Sequence, residues 1–320
     1  DAAGLLNMGR WLPLVVALAL AALPAVLTPY LSDLVVKIVI LAVFALSLEL
    51  LVGMTGLVSL GHAAFFGIGA YATVLGSPES DAGNLLGLGL LACAAAAAYA
   101  LFVGALSLRT RGIYLIMVTL AFAQMAYFVF HDTKLGGGSD GIYLNVRPVL
   151  GPLDSAGRWP MYYLALATLV FTYALLLLVR RSRFGHALAG IRVNEQRMRA
   201  AGFATYAYKL AAFVLAGALA GLAGFLLAVK DGFVNPELLS WHESGAVLLM
   251  IILGGIGHLR GAVLGAVAFV LLKELYATPA LVGATLAEHW QLTLGATIIA
   301  FVALLPKGLI GLPARWRARK

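Results

Sequence analysis

The sequence predicts an all-α fold, a polytopic bundle of membrane-spanning helices, on three observations. Hydrophobic residues make up 62% of the 320 positions and charged residues 11%, and the mean hydropathy is +0.97. Several stretches run for about 20 residues without a charge, the length that a helix needs to cross the hydrocarbon core. The alternating ten-residue segments of a membrane β-barrel do not occur in the sequence. We therefore expect about ten transmembrane helices (roughly 8 to 10), some of them broken.

Apolar windows place these spans in one transmembrane domain, residues 1–320. The windows are 11–28, 34–53, 62–76, 85–107, 113–130, 161–179, 210–229, 243–257, 261–276 and 289–305. The first window has a second interpretation, since Arg10 precedes an apolar stretch as in a signal peptide. Cys93 is the single cysteine, so no intrachain disulfide is expected.

The distribution of charge predicts the orientation. With both termini in the cytoplasm, sixteen of the 22 Lys and Arg residues fall in cytoplasmic segments, as the positive-inside rule requires. Eleven of the 14 acidic residues then fall on or near the opposite side. Residues 131–160 form a periplasmic loop, and residues 180–209 form a basic cytoplasmic segment. The net charge of +8 is assigned to orientation and lipid contact rather than to nucleic-acid binding.

The sequence lacks the motifs of an enzyme. GGIGHLRG at 254–261 is glycine-rich but has no Lys-Ser/Thr pair to bind a nucleotide phosphate, so we interpret it as a tight turn with a close helix crossing. The six histidines show no HExxH spacing, and Ser59 lies in no GxSxG motif. We therefore predict no catalytic residue, no metal site and no cofactor bound by this chain.

The stretch ELLVGMTGLVSLGH, residues 49–62, interrupts the second apolar window with polar groups and glycines. An ionised carboxylate near the bilayer centre costs about 3 kcal/mol, so Glu49 must face the bundle interior, bind a partner or be protonated. Lys37 lies about three helical turns away and is too distant to neutralise it. A broken helix here predicts a substrate pathway, and its candidate lining residues are Glu49, Thr55, Gly56, Ser59 and His62.

Three further features carry alternatives. Gln124 suits either an interhelical hydrogen bond or a substrate contact. The run GGGSDG, with Ser139 and Asp140, suits either a simple turn or an external contact with the pathway or a partner.

In the segment 180–209, Leu188, Ile191, Glu195 and Met198 share one face of an amphipathic helix that ends at Gly202. Such a helix lies on the membrane or docks into a groove on a soluble partner. Small-residue spacing predicts close helix packing at Gly217, Gly221, Gly257, Gly261 and Gly265.

The chain resembles the permease subunits of ABC importers, specifically the LivM-type branched-chain amino acid permeases. The matching motifs, in order, are LVGMTGLVSLGHAAFFGIGAYA, TLAFAQM, GGGSDG, AGIRVNEQRMRAAG, YKLAAFVLAGALAGLAGFL, DGFVNPE, LGGIGHLRGAVLGA and LLPKGLIGL. The resemblance implies a bacterial inner-membrane importer with a second homologous permease, two ATP-binding subunits that hold ATP and Mg²⁺, and a periplasmic substrate-binding protein. It also implies that Arg192, Asn194, Glu195 and Gly202 belong to the coupling helix that enters a cleft on the ATPase.

The resemblance favours branched-chain or other hydrophobic amino acids as cargo. Related permeases often have a different polar residue in place of Glu49 and Gln in place of Leu57, and similar permeases move urea, short amides or small organic acids. These cargoes remain alternatives. An ATP-independent channel or secondary transporter is the alternative from another class, and it would require ion-coupling carboxylates within the spans.

Overall fold

The computed structural model describes residues 16–25, 27–150, 153–154, 157–279, 288–305 and 307–311. These residues form a helical bundle. Its helices are α1 (Val16–Ala25), α2 (Pro29–Glu49), α3 (His62–Gly76), α4 (Leu85–Ser107), α5 (Ile113–Asp132), α6 (Arg158–Arg181), α7 (Arg183–Val193), α8 (Glu195–Ala200), α9 (Thr205–Asp231), α10 (Trp241–Gly254), α11 (Leu259–Ala277) and α12 (Trp290–Leu304). A π-helix, Leu50–Thr55, continues α2. The all-α membrane fold predicted from the sequence is confirmed.

Ordinary capping signals set several helix starts. The Thr28 side chain accepts a hydrogen bond from the Leu31 amide, and Pro29 occupies the first turn of α2, where its missing N–H costs nothing. The Asn84 Oδ1 atom accepts from the Leu86 amide at 3.0 Å at the start of α4. The Asn84 cap directly precedes the window 85–107, whereas Thr28 starts α2 five residues before the window 34–53.

The number of full-length spans is smaller than the ten windows predict. Among the described residues, six helices are long and apolar enough to cross a membrane, or seven if the bent pair α10 and α11 counts as one span. The windows 11–28 and 62–76 correspond to the shorter helices α1 and α3, and 243–257 and 261–276 correspond to the bent pair. Glycines bound α3 and separate α10 from α11, and hydropathy alone does not detect such breaks.

The bundle has two chemically different ends. The basic end carries α7, α8 and the turn between α10 and α11. The loop end carries residues 133–150 and two small antiparallel sheets, in which strand β1 (Ile142–Tyr143) pairs with β4 (Phe233–Val234) and β2 (Val149–Leu150) pairs with β3 (Leu153–Asp154). At the loop end the Lys230 Nζ atom contacts Asp33 Oδ1 at 3.1 Å and Asp231 Oδ1 at 2.9 Å, which ties the start of α2 to the end of α9.

Helix α9 lies at the centre of the bundle and contacts α3 and α4 through glycines. A Cβ atom on Gly217 would lie 2.4 Å from the Ala100 Cβ, and one on Gly221 would lie 2.4 Å from the Ala96 Cβ. A Cβ atom on Gly224 would lie 1.9 Å from the Phe66 carbonyl oxygen. The backbones therefore approach more closely than any larger residue allows, which is how membrane helices associate where lipid offers no hydrophobic drive.

The turn between α10 and α11 reverses the chain through 116°. Gly255 (φ 112°) and Gly257 (φ 93°) adopt backbone conformations that disfavour other residues. A Cβ atom on Gly265 would lie 1.8 Å from the Met250 carbonyl oxygen, so the two helices pack backbone to backbone above the turn. The tight turn and close crossing predicted for GGIGHLRG are confirmed. Gly257, predicted in the crossing, instead lies in the turn, because α11 begins only at Leu259.

Candidate functional site

The second apolar window breaks near the basic end of the bundle. After Glu49 the helix widens to a π-helix that ends at Gly56, which has a left-handed conformation (φ 75°). Residues 56–61 are not helical, and α3 starts at His62. The helix break predicted for this stretch is confirmed. The sequence places Glu49 near the bilayer centre, whereas the structure places it about 9 Å from the basic end of the π-helix, counted along the helix axis.

The Glu49 side chain is buried, with 1% of its surface exposed, and it crosses the backbone of the next helical turn. A Cβ atom on Gly53 would lie 1.9 Å from the Glu49 Oε1 atom, so a larger residue at position 53 would displace the carboxylate from this position. The Oε1 atom accepts a hydrogen bond of 2.6 Å from the Gly257 amide in the α10–α11 turn. Glu49 therefore joins α2 to that turn.

Arg192, on α7, completes this arrangement. Its guanidinium donates a hydrogen bond to the Gly53 carbonyl oxygen, which lies in the last turn of the π-helix and needs an external partner. The positive charge of Arg192 also acts on the Glu49 carboxylate. Arg192 lies close to the α10–α11 turn as well, since a Cβ atom on Gly257 would be 3.6 Å from its Nη1 atom. We call Glu49, Gly53, Arg192 and Gly257 the junction. It brings three separate parts of the chain together at one buried carboxylate.

The other polar residues of the stretch are buried and bonded within the bundle. The His62 Nε2 atom lies 2.8 Å from the Ser47 Oγ atom, and the Phe44 ring stacks on the imidazole at 5.6 Å between centroids. The Thr55 hydroxyl donates to the Leu50 carbonyl oxygen at 3.0 Å, and the Ser59 hydroxyl accepts from the Gly61 amide at 3.2 Å. Their place in a substrate pathway stays a prediction.

A contact between α3 and α10 lies beside this group. The Ala63 amide, in the first turn of α3, donates to the Ser244 Oγ atom at 2.9 Å. Ser244 is fully buried, so the start of α10 lies at the depth of His62 inside the bundle. The neighbouring Glu243 is therefore also inside the span, although the charge distribution in the sequence suggests a border position.

Comparison with known proteins decides the class of this molecule. A family model described as "Branched-chain amino acid transport system / permease component" matches residues 30–302. The chain belongs to this permease family. The transport class inferred from the sequence motifs is therefore confirmed.

Several relatives of this chain are permease proteins of bacterial transport systems. The chain is 30% identical to the high-affinity branched-chain amino acid transport permease LivM of Escherichia coli K12, over 87% of this chain and 69% of LivM. It is 25% identical to LivH of the same organism, over 85% of this chain and 91% of LivH. The autoinducer 2 import permease LsrC of Escherichia coli O9:H4 is 32% identical over 31% of this chain and 30% of LsrC. No solved structure matches the permease.

The basic segment of the permease is two helices rather than the single amphipathic helix that the sequence predicts. Asn194 leaves the helical conformation (φ −157°), and its side chain accepts a hydrogen bond from the Arg197 amide at 2.9 Å, so it caps α8. Capping by Asn competes with helix continuation, and the sequence pattern does not show which will occur. Gly202 ends the segment with φ 89°, the left-handed conformation expected for it.

Glu195 points back into the permease instead of outward. Its Oε1 atom accepts hydrogen bonds from Lys209 Nζ at 2.8 Å, from Arg199 Nη2 at 2.9 Å and from the Thr205 hydroxyl at 3.1 Å. Partial burial opposes ionisation, but the hydrogen bond and positive charge of Lys209 outweigh it and hold the pKa of Glu195 below its usual 4.5. Glu195 thus fixes α8 on the first turn of α9, whereas the Arg192 side chain reaches from α7 to the Gly53 carbonyl oxygen.

The remaining predicted site residues of the permease lie elsewhere. Gln124 is half-buried on α5, away from the junction. Ser139 and Asp140 are exposed at the loop end in two tight 3₁₀ turns, with positive φ at Gly137, Gly138 and Gly141. The turn interpretation of GGGSDG is confirmed. A pathway or partner contact there stays a prediction.

Sequence reasoning missed Gly53 as part of the site and missed the link from Arg192 to α2. The signal for Gly53 was present, because a glycine four residues after a buried Glu leaves space above the carboxylate. The link from Arg192 spans 139 positions along the chain, and no pattern in a single sequence encodes it. Glu243 was also recognisable in the sequence, because it is a charged residue at the first position of the apolar window 243–257.

Proposed function

We propose that the chain is one of two permease subunits of an ABC importer that moves branched-chain or other hydrophobic amino acids into the bacterial cytoplasm. In this proposal two separate subunits hydrolyse ATP with Mg²⁺, and a periplasmic protein delivers the cargo. The family match and the likeness to both LivM and LivH, which are permeases for branched-chain amino acids, support this cargo and a second homologous permease.

The proposed orientation has both termini in the cytoplasm of an inner-membrane protein. Arg180, Arg181 and Arg183 cluster where α6 meets α7, so the basic end is the cytoplasmic end by the positive-inside rule. The loop end, with its exposed acidic groups, then faces the periplasm and the binding protein.

The junction is the observation that carries the proposal. In an ABC importer the ATPase acts from the cytoplasm, and its movement must reach the spans through a segment such as α7–α8. Arg192 connects α7 to the end of α2, and Glu49 connects α2 to the α10–α11 turn. Displacement of α7 by a docked ATPase is therefore passed on to two separate spans through two polar contacts, as a rigid-body movement requires.

The residues of α8 hold the docking surface in place. The contact between Glu195 and Lys209 fixes α8 on α9, and the exposed positions Val193 and Arg197 lie on the outside of the segment. Val193 is 87% exposed, which is unusual for an apolar side chain next to a polar helix cap. We assign this exposed surface to contact with the ATPase.

The proposal is tested by reconstituting the full importer in vesicles and measuring ATP-dependent uptake of L-leucine together with ATP hydrolysis stimulated by the liganded binding protein. Arg192→Ala should lower uptake per ATP hydrolysed by about tenfold, since one charge-assisted hydrogen bond in the transmission is lost. Arg181→Ala, an exposed arginine in the last turn of α6, is the matched control and should leave the ratio unchanged.

Two outcomes would contradict the proposal. Equal uptake per ATP for Arg192→Ala and Arg181→Ala would remove the coupling role of α7. Uptake by this chain alone, without ATP or the ATPase subunits, would instead identify a channel or secondary transporter. Uptake of urea or a small organic acid with no uptake of L-leucine would keep the importer and change the cargo.

A further inference from the structure

Three charged side chains lie inside the spans on one face of the bundle, away from the junction. Lys37 is on α2, about 12 Å from its start, and its side chain is exposed. Glu243 is on the first turn of α10, next to the buried Ser244. Lys273 is on α11, about 6 Å before its end. Helices α2, α10 and α11 pack against one another, so we call these three residues the charged face.

The rest of the described membrane-facing surface is different. Helices α4, α5, α6 and α12 present large apolar side chains along their exposed sides, as lipid contact requires. Examples are Leu90, Phe102, Met117, Phe171, Leu178 and Ile299. Charged side chains in the hydrocarbon region are costly and face water or protein instead. Leu271 and Leu275 on α11 are also exposed next to Lys273, so it is the charged groups of this face that require water or protein as their neighbour.

The three charged residues of this face lie on three helices that are in mutual contact. Lys273 and Lys37 are the main cations whose field reaches the Glu243 carboxylate, with Glu237 and His242 also facing it. Within the described residues no ion pair joins Lys37 or Lys273 to a carboxylate. The Lys273 Nζ atom instead lies 5.1 Å from the centroid of the Trp290 ring. Opposite charges that are held apart in this way can each contact one group of a ligand that has both a negative and a positive group.

We propose that Lys37, Glu243 and Lys273 line the translocation route and bind a zwitterionic amino acid in passage, the lysines contacting its carboxylate and Glu243 its ammonium group. This inference rests on the proposed importer function and names a substrate contact for it. The Trp241 side chain, 49% exposed at the start of α10, supplies an apolar surface beside the charges for the substrate side chain. The open side of the route is closed by the second permease.

The test uses the reconstituted importer with ATP-dependent uptake of L-leucine as the readout. Glu243→Gln, Lys37→Met and Lys273→Met should each lower uptake by about tenfold or more, because each removes a charge-assisted contact with the substrate. Assembly with the second permease and ATP hydrolysis stimulated by the binding protein should be retained. Arg109→Gln, exposed in the turn after α4, and Arg181→Ala, exposed in the last turn of α6, are the controls and should transport normally.

The outcomes separate this inference from the proposed function. If the wild-type importer shows no ATP-driven uptake of L-leucine, the proposed function fails. If the wild type transports and the three variants match their controls, the charged face is not a substrate contact. If the variants lose the second permease on copurification, the charges are assembly contacts and the inference is overturned.

A second readout tests access to water and does not depend on transport rates. In a Cys93→Ala background, Lys37→Cys and Glu243→Cys should react with a membrane-impermeant methanethiosulfonate, because the reagent requires an ionised thiol in water. L-leucine during turnover should slow this reaction. Phe171→Cys, on the apolar face of α6, is the control that should stay unlabelled. Labelling of Phe171→Cys with none at Lys37→Cys would overturn the inference.

Discussion

Replacing Gly53 by alanine tests the junction directly. The new Cβ atom would lie 1.9 Å from the Glu49 Oε1 atom and 2.4 Å from its Cδ atom, so the carboxylate must move away. That movement breaks the 2.6 Å hydrogen bond to the Gly257 amide. Loss of a charge-assisted hydrogen bond costs ~1.5–3 kcal/mol and overpacking adds ~1–3 kcal/mol, offset by ~1 kcal/mol because alanine favours a helix. We expect a net loss of about 1.5–5 kcal/mol.

The measurement is the free energy of unfolding in mixed detergent micelles, titrated with sodium dodecyl sulfate. Gly295→Ala on α12 is the matched control, since a Cβ atom there has nothing within 4 Å, and it should be neutral or slightly stabilising. In a Glu49→Ala background the carboxylate is gone, so Gly53→Ala should cost nothing further. An equal cost of Gly53→Ala in both backgrounds would refute the steric argument, because the two substitutions would then be independent.

Three more outcomes follow from the described contacts. Gly224→Ala should destabilise the bundle by ~2 kcal/mol or more in the same titration, because its Cβ would lie 1.9 Å from a backbone oxygen of α3. Ser244→Ala should cost ~1–3 kcal/mol by leaving the buried Ala63 amide unpaired, whereas Ser244→Thr should retain most of the stability. The pKa of Glu195 is lowered by Lys209, so the stability from this contact is complete above pH 4.5 and is lost as the pH falls through the folded-state pKa. Glu195→Gln should remove that acid dependence, and an unchanged pH profile of thermal unfolding would contradict it.

Local patterns predict most of this fold. Every apolar window contains a described helix, and the breaks at GMTG and GGIGHLRG fall where the glycines are. The sequence does not reveal helix length in three dimensions, because hydropathy is the same for a full span and for a half-span such as α10. It also does not reveal that Asn194 caps a new helix, since the same residues suit a continuous amphipathic stripe.

The candidate site was less predictable than the fold. Glu49 is recognisable as a costly carboxylate, but its partners are a backbone amide 208 positions away and an arginine on α7. Contacts of this range depend on how helices pack, and a single sequence carries no direct record of them. Glu195 shows the converse case. Its position on the polar segment suggests an outward role, whereas three neighbours turn it inward.

The glycine contacts of α9 have a mechanical consequence. Because Gly217 and Gly221 lock α9 to α4 and Gly224 locks it to α3, these three helices have no space to slide and must rock as one block. A movement of this block relative to α2 must bend the chain at the non-helical residues 56–61, which lead into α3. Arg192 lies beside Gly56 in this connection and beside Gly257 in the α10–α11 turn, so one arginine at the basic end contacts two of the breaks between helices.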